Sequence, residues 1–400
     1  MSGLKEELIS RISAEPEKMI SFRDYMDLCL YHPRDGYYMQ ERNKIGKQGD
    51  YYTSSSVHPV FAETLAHFVY KICQTWGTGI SFCEMGAGTG LFAGQFLDAL
   101  QDIDEEAYQS ARYIIIEKSP YHQKEQLKHL TEHTAQVIWA EEPVGNAAGD
   151  NTGGKHKVEN PLSSFAGILF SNELVDAFPV HMVEKKDGTL WEICVGYDEV
   201  HDRFVEHRRP VENELIVAYL EDQGFSLAEG WRMEIPLDAL IWVEEVSDWF
   251  QEGLWLTFDY GLRRDQWEAP SYRQGTLRCF YRHQVDDNPY EHPGQKDITA
   301  HVHFEGLSQT AQRLGWKQVG LFPQVEFLLM AGILDRLEEH QETDPFHSKA
   351  KKNRAIRQLI SPEGISGAFQ VLTLAKSVPD KVLDLFQPFS FGLQMIKKGY

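Results

Sequence analysis

Two rhythms of apolar residues divide the chain. Short, largely apolar runs at Ile80–Met85, Tyr113–Ile116, Gln136–Trp139 and Phe165–Phe170 predict buried strands, and Leu254–Gly261 predicts another strand that ends in a turn. Between them, Val60–Trp76, with Pro59 opening its first turn, Leu91–Leu100 and Pro120–Leu130 predict helices. Strand and helix therefore alternate through the central region, the pattern of a sheet covered by helices. The start of the chain reads differently. Leu4–Ile12 is a short amphipathic helix, and Ser21–Leu30 a second, with Ser21 as its cap and Asp24 in its first turn. Pro33 and Gly36 make a turn of Tyr31–Tyr38.

Other stretches break the alternation. Ile45–Val60 is rich in hydroxyls, lacks periodicity, and reads as a loop over a pocket or as plain surface. Residues 141–160 are polar and glycine-bearing, as expected of a surface insertion. After residue 179 come the candidate strands Met182–Glu184 and Leu190–Val195 around Lys186-Asp187-Gly188, a hairpin signature. A helix at Val211–Leu220, a strand at Trp231–Ile235 and a helix at Leu237–Gln251 follow. Further on, Gly275–His283 and Asp297–Phe304 are strand-like, Phe304–Leu314 is helical, and Val319–Leu321 with Phe369–Leu374 suggests a closing antiparallel pair. Glu326–Leu359 reads as polar, helical and peripheral. The expected divisions are an N-terminal helical cap and lid over 1–60, the first part of a core over 61–179, an inserted α+β segment over 180–253, and the rest of the core over 254–400.

Composition narrows the function. The chain has 400 residues, 42% of them hydrophobic, enough for at least one large core and for two to three domains. Its formal net charge of −21, from 60 acidic residues against 39 Lys and Arg, argues against nucleic-acid binding. Five scattered cysteines have no metal-ligand spacing and fit a reducing compartment; cytoplasmic residence is expected. The N-terminus mixes acids with its lysines and lacks an apolar run, so neither a secretory leader nor membrane insertion is expected. His301 and His303 have strand spacing but no third ligand, so no metal site is assigned.

The chemistry centres on Glu84-Met85-Gly86-Ala87-Gly88-Thr89-Gly90, between a strand and a helix. A glycine turn lets a ligand approach the backbone where a Cβ would block it. A dinucleotide fingerprint would space its glycines Gly-x-Gly-x-x-Gly. Here the spacing is Gly-x-Gly-x-Gly, with Glu84 two residues before it, which favours a methyltransferase holding the amino-acid end of S-adenosylmethionine over a dehydrogenase. Glu117 ends the next strand, where an acid commonly accepts both hydroxyls of a ribose; the bland alternative is a solvated strand-end acid. Thr53, in the hydroxyl-rich cover, is grouped with these cofactor residues. Asn172, Glu173 and Asp176 follow the fourth core strand and are the candidate catalytic residues, two carboxylates able to fix a cationic substrate or take its departing proton. The alternative makes Asp176 a helix cap and Glu173 a surface acid. Asp259 is a further candidate acid at a strand end.

Gly36-Tyr37-Tyr38, Gly49-Asp50-Tyr51-Tyr52-Thr53-Ser54, Glu84 through Gly90, Ser171 through Pro179, Asp259-Tyr260-Gly261, Gly275-Thr276-Leu277-Arg278 and Asp297-Ile298-Thr299-Ala300 stand in an order that resembles the MidA-type family of S-adenosylmethionine-dependent methyltransferases. The resemblance spans nearly the whole chain. It implies an α/β fold, a seven-stranded class I methyltransferase (Rossmann-like) sheet with an N-terminal helical cap and an inserted α+β segment. It also implies direct methyl transfer from S-adenosylmethionine to a protein acceptor, with arginine as the residue described for mitochondrial members. The family often carries an acid where His303 stands here. A small-molecule methyltransferase, an assembly factor without turnover and a nucleotide-dependent oxidoreductase are the alternatives.

Overall fold

Strands that must bury both faces read as continuous apolar runs, and the runs above pair accordingly. In a computed structural model, which describes residues 3–42, 58–140, 164–282, 284–339, 344, 347–361 and 365–387, the chain forms two compact units. One comprises Thr53–Asn172, Glu244–Asp259 and Ala311–Tyr400; the other comprises Met1–Tyr52, Glu173–Val243 and Tyr260–Thr310. Most of the hydroxyl-rich cover, with Thr53, and all of 141–160 lie outside the described residues.

The first of these units is built on a seven-stranded sheet, in agreement with the expected fold. Its strands are β2 (Ser81–Met85), β3 (Arg112–Ile116), β4 (Val137–Ala140), β5 (Phe165–Asn172), β10 (Phe250–Tyr260), β14 (Lys317–Pro323) and β15 (Phe369–Lys376). They lie in the order β14-β15-β10-β5-β2-β3-β4. From β10 to β4 each neighbouring pair is parallel, and β14 runs antiparallel to β15. The chain order reverses at β2, which has β3 on one side and β5 on the other. In open α/β sheets, ligands bind beyond the strand ends at such a point. Helices α3 (Val60–Trp76), α4 (Leu91–Ile103), α5 (Glu105–Ser110) and α6 (Pro120–His129) separate the early strands, and α10 (Gln324–Met330), α11 (Ser348–Leu359) and α12 (Asp380–Leu383) accompany the last two. The core holds an aromatic stack in which Phe82 lies 4.6 Å from Phe96 and Phe92 lies 4.6 Å from Phe170, centroid to centroid.

The other unit gathers β1 (Met19–Ser21), β6 (His181–Lys186), β7 (Thr189–Asp198), β8 (Arg203–Pro210) and β9 (Arg232–Ile235) in one sheet. A smaller sheet contains β11 (Arg278–Tyr281), β12 (Gln284–Asp286) and β13 (Asp297–Thr299). Helices α1 (Gly3–Ala14), α2 (Phe22–Tyr31) and α7 (Glu214–Asp222) belong to it; α8 (Leu237–Trp249) and α9 (Phe304–Arg313) run from this unit into the other. Asp187 and Gly188, at φ +52° and +74°, form the two-residue turn between β6 and β7 that the sequence signalled. Ser21 caps α2 as expected, accepting the Asp24 amide at 3.1 Å. Leu4, Leu8, Phe22, Tyr25 and Met26 share one core with Ile193, Val195 and Phe204.

Five elements escape the sequence reading for physical reasons. β8 is an edge strand paired only with β7, and of its polar Arg-Phe-Val-Glu-His-Arg-Arg pattern only Phe204 is buried, too little to show a period. β1, α5, β12 and α12 are too short to show a period. Another segment departs in burial. The start of the supposedly peripheral 326–359 section is core: Phe327 is fully buried, with its ring 5.0 Å from Phe258 and 5.7 Å from Phe68. Truncating it should therefore be costly. Phe327→Ala is expected to destabilise by about 3–5 kcal/mol in urea titrations, as large-to-small core changes do. Leu334→Ala, on a half-exposed side chain nearby in sequence, should cost under about 0.5 kcal/mol. Equal small effects would return Phe327 to the periphery.

Candidate active site

The glycine turn follows directly from the end of β2. Gly86 N–H donates to Ile116 O at 3.0 Å, tying that end to the last residue of β3. Gly86, Gly88 and Gly90 have φ of +72°, +52° and +79°, a region L side chains rarely adopt, so backbone geometry favours glycine at all three. Gly90 N–H closes the turn on Ala87 O at 2.9 Å, and Gly90 then precedes the first residue of α4. Gly86 is exposed, Gly88 and Thr89 are half-buried, and Ala87 packs into the core. The turn is thus open to a ligand at Gly86 and partly so at Gly88 and Thr89.

Two buried carboxyl groups flank the turn from neighbouring strands. Glu84 Oε2 accepts a hydrogen bond from the Tyr113 hydroxyl at 2.7 Å. Burial, opposed by that bond and reinforced by the charge of Glu117, pushes the Glu84 carboxyl up to about 8. Glu117 follows β3, its backbone N–H donating to Ala140 O at 3.1 Å. Its Oε1 accepts the Ser119 amide at 2.9 Å and its Oε2 the Gln126 side-chain amide at 3.4 Å; His122 Nδ1 lies 3.6 Å from Oε2. A carboxylate oxygen offers two lone pairs. Both oxygens of Glu117 thus keep capacity for two further donors, the requirement of a vicinal diol. Turn and carboxylate together fit a ligand with a polar amino-acid end and a ribose.

In the other unit, Glu173 and Asp176 lie on one short loop. Glu173 comes immediately after Asn172, the last residue of β5, and adopts φ +51°, a conformation uncommon for any residue with a Cβ. Asp176 is buried in a single 3-10 turn, Val175–Ala177. Leu174 precedes that turn and no side chain caps it, so Asp176 does not cap this turn. The loop is tied down by backbone groups: Ala300 N–H donates to Asp176 O at 2.9 Å and Tyr31 hydroxyl to Ala177 O at 3.0 Å. Other motifs of this unit also pair with one another. Tyr38 hydroxyl donates to Asp297 at 2.6 Å, and buried Glu234 accepts the amides of Thr276 and Leu277 at 3.0 and 3.2 Å. Asp259 is fully buried near the end of β10. β13 stops at Thr299, so His301 and His303 do not share a strand. His303 lies against Trp267 at 3.8 Å and shares a hydrogen bond with Tyr219 at 2.8 Å; burial pushes it down to about 3, so its ring is neutral.

Residues that sequence reasoning missed come from α6. His122, Gln126 and His129 recur at i, i+4 and i+7 and so share one face. Gln126 reaches Gly88 O at 2.8 Å and Glu117 at 3.4 Å, and His129 Nδ1 lies 2.8 Å from Thr89 O. The available signal was an inverted one, since Gln126 is fully buried while Leu127 is 54% exposed. Among the described residues no His, Cys, Asp and Glu side chains cluster as metal ligands. A half-open cavity of about 540 Å³ beside Glu63, Asp98 and Lys352 contains none of the candidate site residues. There Lys352 pairs with Glu63 at 2.8 Å, and Asp98 meets His133 at 3.1 Å.

Comparison with known proteins bears on this geometry. A family model described as "Putative S-adenosyl-L-methionine-dependent methyltransferase" matches residues 64–322. Protein arginine methyltransferase NDUFAF7, mitochondrial, of Danio rerio is 26% identical over 371 residues, covering 89% of this chain and 83% of that protein. The Homo sapiens protein of the same name is 26% identical over 340 residues, covering 80% and 71%. A crystal structure of a Burkholderia thailandensis protein bound to S-adenosyl-homocysteine superposes with a TM-score of 0.81 at 29% identity, covering 94% of each chain.

The buried acid makes a pH prediction. The folded protein keeps the Glu84 proton up to about pH 8, while an ordinary glutamate loses it near 4.5. Between those values the folded state binds more protons, so this group's contribution is full below the lower value and is lost as pH rises through the upper one. Glu84→Gln removes the titration and keeps an acceptor for Tyr113. Its melting temperature relative to the parent protein should rise from acid to alkaline conditions, by an amount worth at most a few kcal/mol. A difference that does not vary with pH would give Glu84 an ordinary acidity.

Proposed function

The chain belongs to the family of S-adenosyl-L-methionine-dependent methyltransferases, and on that premise we propose that it methylates a protein acceptor at an arginine side chain. Its seven-stranded sheet is that of the class I methyltransferases. When bound, S-adenosylmethionine supplies an electrophilic methyl group for direct displacement. Glu84, Gly86, Ala87, Gly88, Thr89, Gly90 and Glu117 are assigned to holding it, Glu117 through the ribose hydroxyls and the turn through backbone groups. Thr53 belongs to this assignment on sequence grounds alone.

The acceptor reading rests on the loop after β5. Glu173 holds an unfavourable backbone conformation, and such outliers concentrate where function requires a side chain in a set place. Asn172, Glu173 and Asp176 are assigned to the acceptor. Two carboxylates can grip a guanidinium by charge-assisted hydrogen bonds, draw its positive charge onto the nitrogens they contact, and leave the third nitrogen more electron-rich. That nitrogen would form the new bond to the methyl carbon as the carbon–sulfur bond breaks, its electron pair staying with sulfur in the departing S-adenosylhomocysteine, and the proton the nitrogen sheds would pass to a carboxylate or to water. Alignment supplies most of the rate in such a displacement. The relatives named as protein arginine methyltransferases support this acceptor class, and an acidic chain of net charge −21 suits a basic peptide. Five buried, unpaired cysteines fit a reducing compartment and support cytoplasmic residence, although the named relatives are mitochondrial. Among the described residues no helix is long and apolar enough to cross a membrane.

The test is to capture the acceptor and read its mass. Proteins retained by the enzyme with S-adenosylhomocysteine are incubated with S-adenosylmethionine, and one should gain a methyl group on an arginine. Transfer to a small molecule alone, or no turnover, would overturn the reading. With that acceptor, Glu173→Gln keeps the size and loses the charge. It should lower turnover about tenfold or more while S-adenosylhomocysteine affinity stays within about twofold of the parent. Unchanged transfer at both saturating and limiting acceptor would remove Glu173 from the chemistry.

A further inference from the structure

We infer that Gln126 is a positioning residue that sets the span between the two halves of the cofactor site, without touching the ligand. The inference rests on the reading of Glu117 and the glycine turn as the cofactor's hold. A fully buried primary amide is costly unless each of its groups is matched. Here all are matched. One amide nitrogen donates to Gly88 O at 2.8 Å and to Glu117 Oε2 at 3.4 Å, and the amide oxygen accepts the Trp139 indole N–H at 3.2 Å. The three partners allow one orientation only. Flipping the amide would set its oxygen against a carbonyl and a carboxylate, and its nitrogen against the indole N–H.

The link is therefore directional and joins two things that the sequence keeps apart. Gly88 belongs to the turn after β2, and Glu117 to the end of β3. The same side chain also bounds the turn sterically, since a Cβ at Gly90 would lie 3.0 Å from Gln126 Cγ. One helical turn on, His129 Nδ1 meets Thr89 O at 2.8 Å, so a second contact from α6 steadies the same segment. Losing Gln126 frees the turn to move relative to Glu117. A ligand that engages both ends depends on their spacing, whereas a ligand that engages the ribose end alone does not.

The two probes are S-adenosylhomocysteine, which has both ends, and adenosine, which has only one, titrated calorimetrically against the full chain. Gln126→Met should weaken S-adenosylhomocysteine about tenfold, the loss of one to two buried hydrogen bonds, and adenosine much less. The ratio of the two affinities is the readout, because general destabilisation would lower both alike. Gln126→Glu keeps length and the acceptor for Trp139 but turns an acceptor towards Gly88 and Glu117. It should lower the ratio at neutral pH and recover part of it in acid, and it serves if Gln126→Met does not fold. Glu117→Ala is the control, expected to weaken both probes. If Glu117→Ala weakens both while the Gln126 variants leave the ratio unchanged, the role of Gln126 is overturned. If Glu117→Ala changes neither, the underlying assignment of the cofactor site fails first.

Discussion

A carboxylate withdrawn from water at the end of a parallel strand must be given hydrogen-bond donors, and the surroundings of Glu117 are organised by that need. The first donor is the Ser119 amide, next to the start of α6, where helix amides lack partners of their own. The positive end of the helix dipole adds to it. The second is Gln126 from the buried face of the same helix. Glu84, on the adjacent strand, has the Tyr113 hydroxyl but no such amides, and it lies within the field of Glu117. Burial, reinforced by that field, drives Glu84 towards the neutral form.

The same logic explains the amphipathic inversion of α6. A helix with an apolar inner face could pack beside the turn, but it would leave Gly88 O and Glu117 without side-chain partners. The chain instead buries Gln126 and leaves Leu127 outside. In the other unit, short motifs scattered along the sequence serve as each other's partners: Tyr38 with Asp297, Thr276 with Glu234, and Ala300 with the loop of Asp176. That loop carries Glu173 at positive φ, a backbone state that persists only when its surroundings enforce it.

What was legible in the sequence follows from these constraints. Strands buried on both faces announce themselves as largely apolar runs, so the parallel strands and the closing pair could be read directly. The glycines were legible because positive φ restricts the residue type, and the place of Glu117 because it directly follows such a run; its hold on a ribose is proposed. β8 was not legible because this edge strand buries only Phe204. Gln126 was not, because a glutamine in a polar helix looks like solvated surface until the tertiary fold turns it inward. Phe327 lay in a stretch whose average polarity concealed a buried turn of helix.

The central claim is that Glu117 and the glycine turn are the two ends of one cofactor site. A crystal structure of the wild-type protein with S-adenosylhomocysteine tests it most directly. The account predicts both ribose hydroxyls on the Glu117 carboxylate and the amino-acid end against the backbone of Gly86–Gly90. A bound ligand whose ribose lies elsewhere, with Glu117 contacting only Ser119 and Gln126, would contradict it.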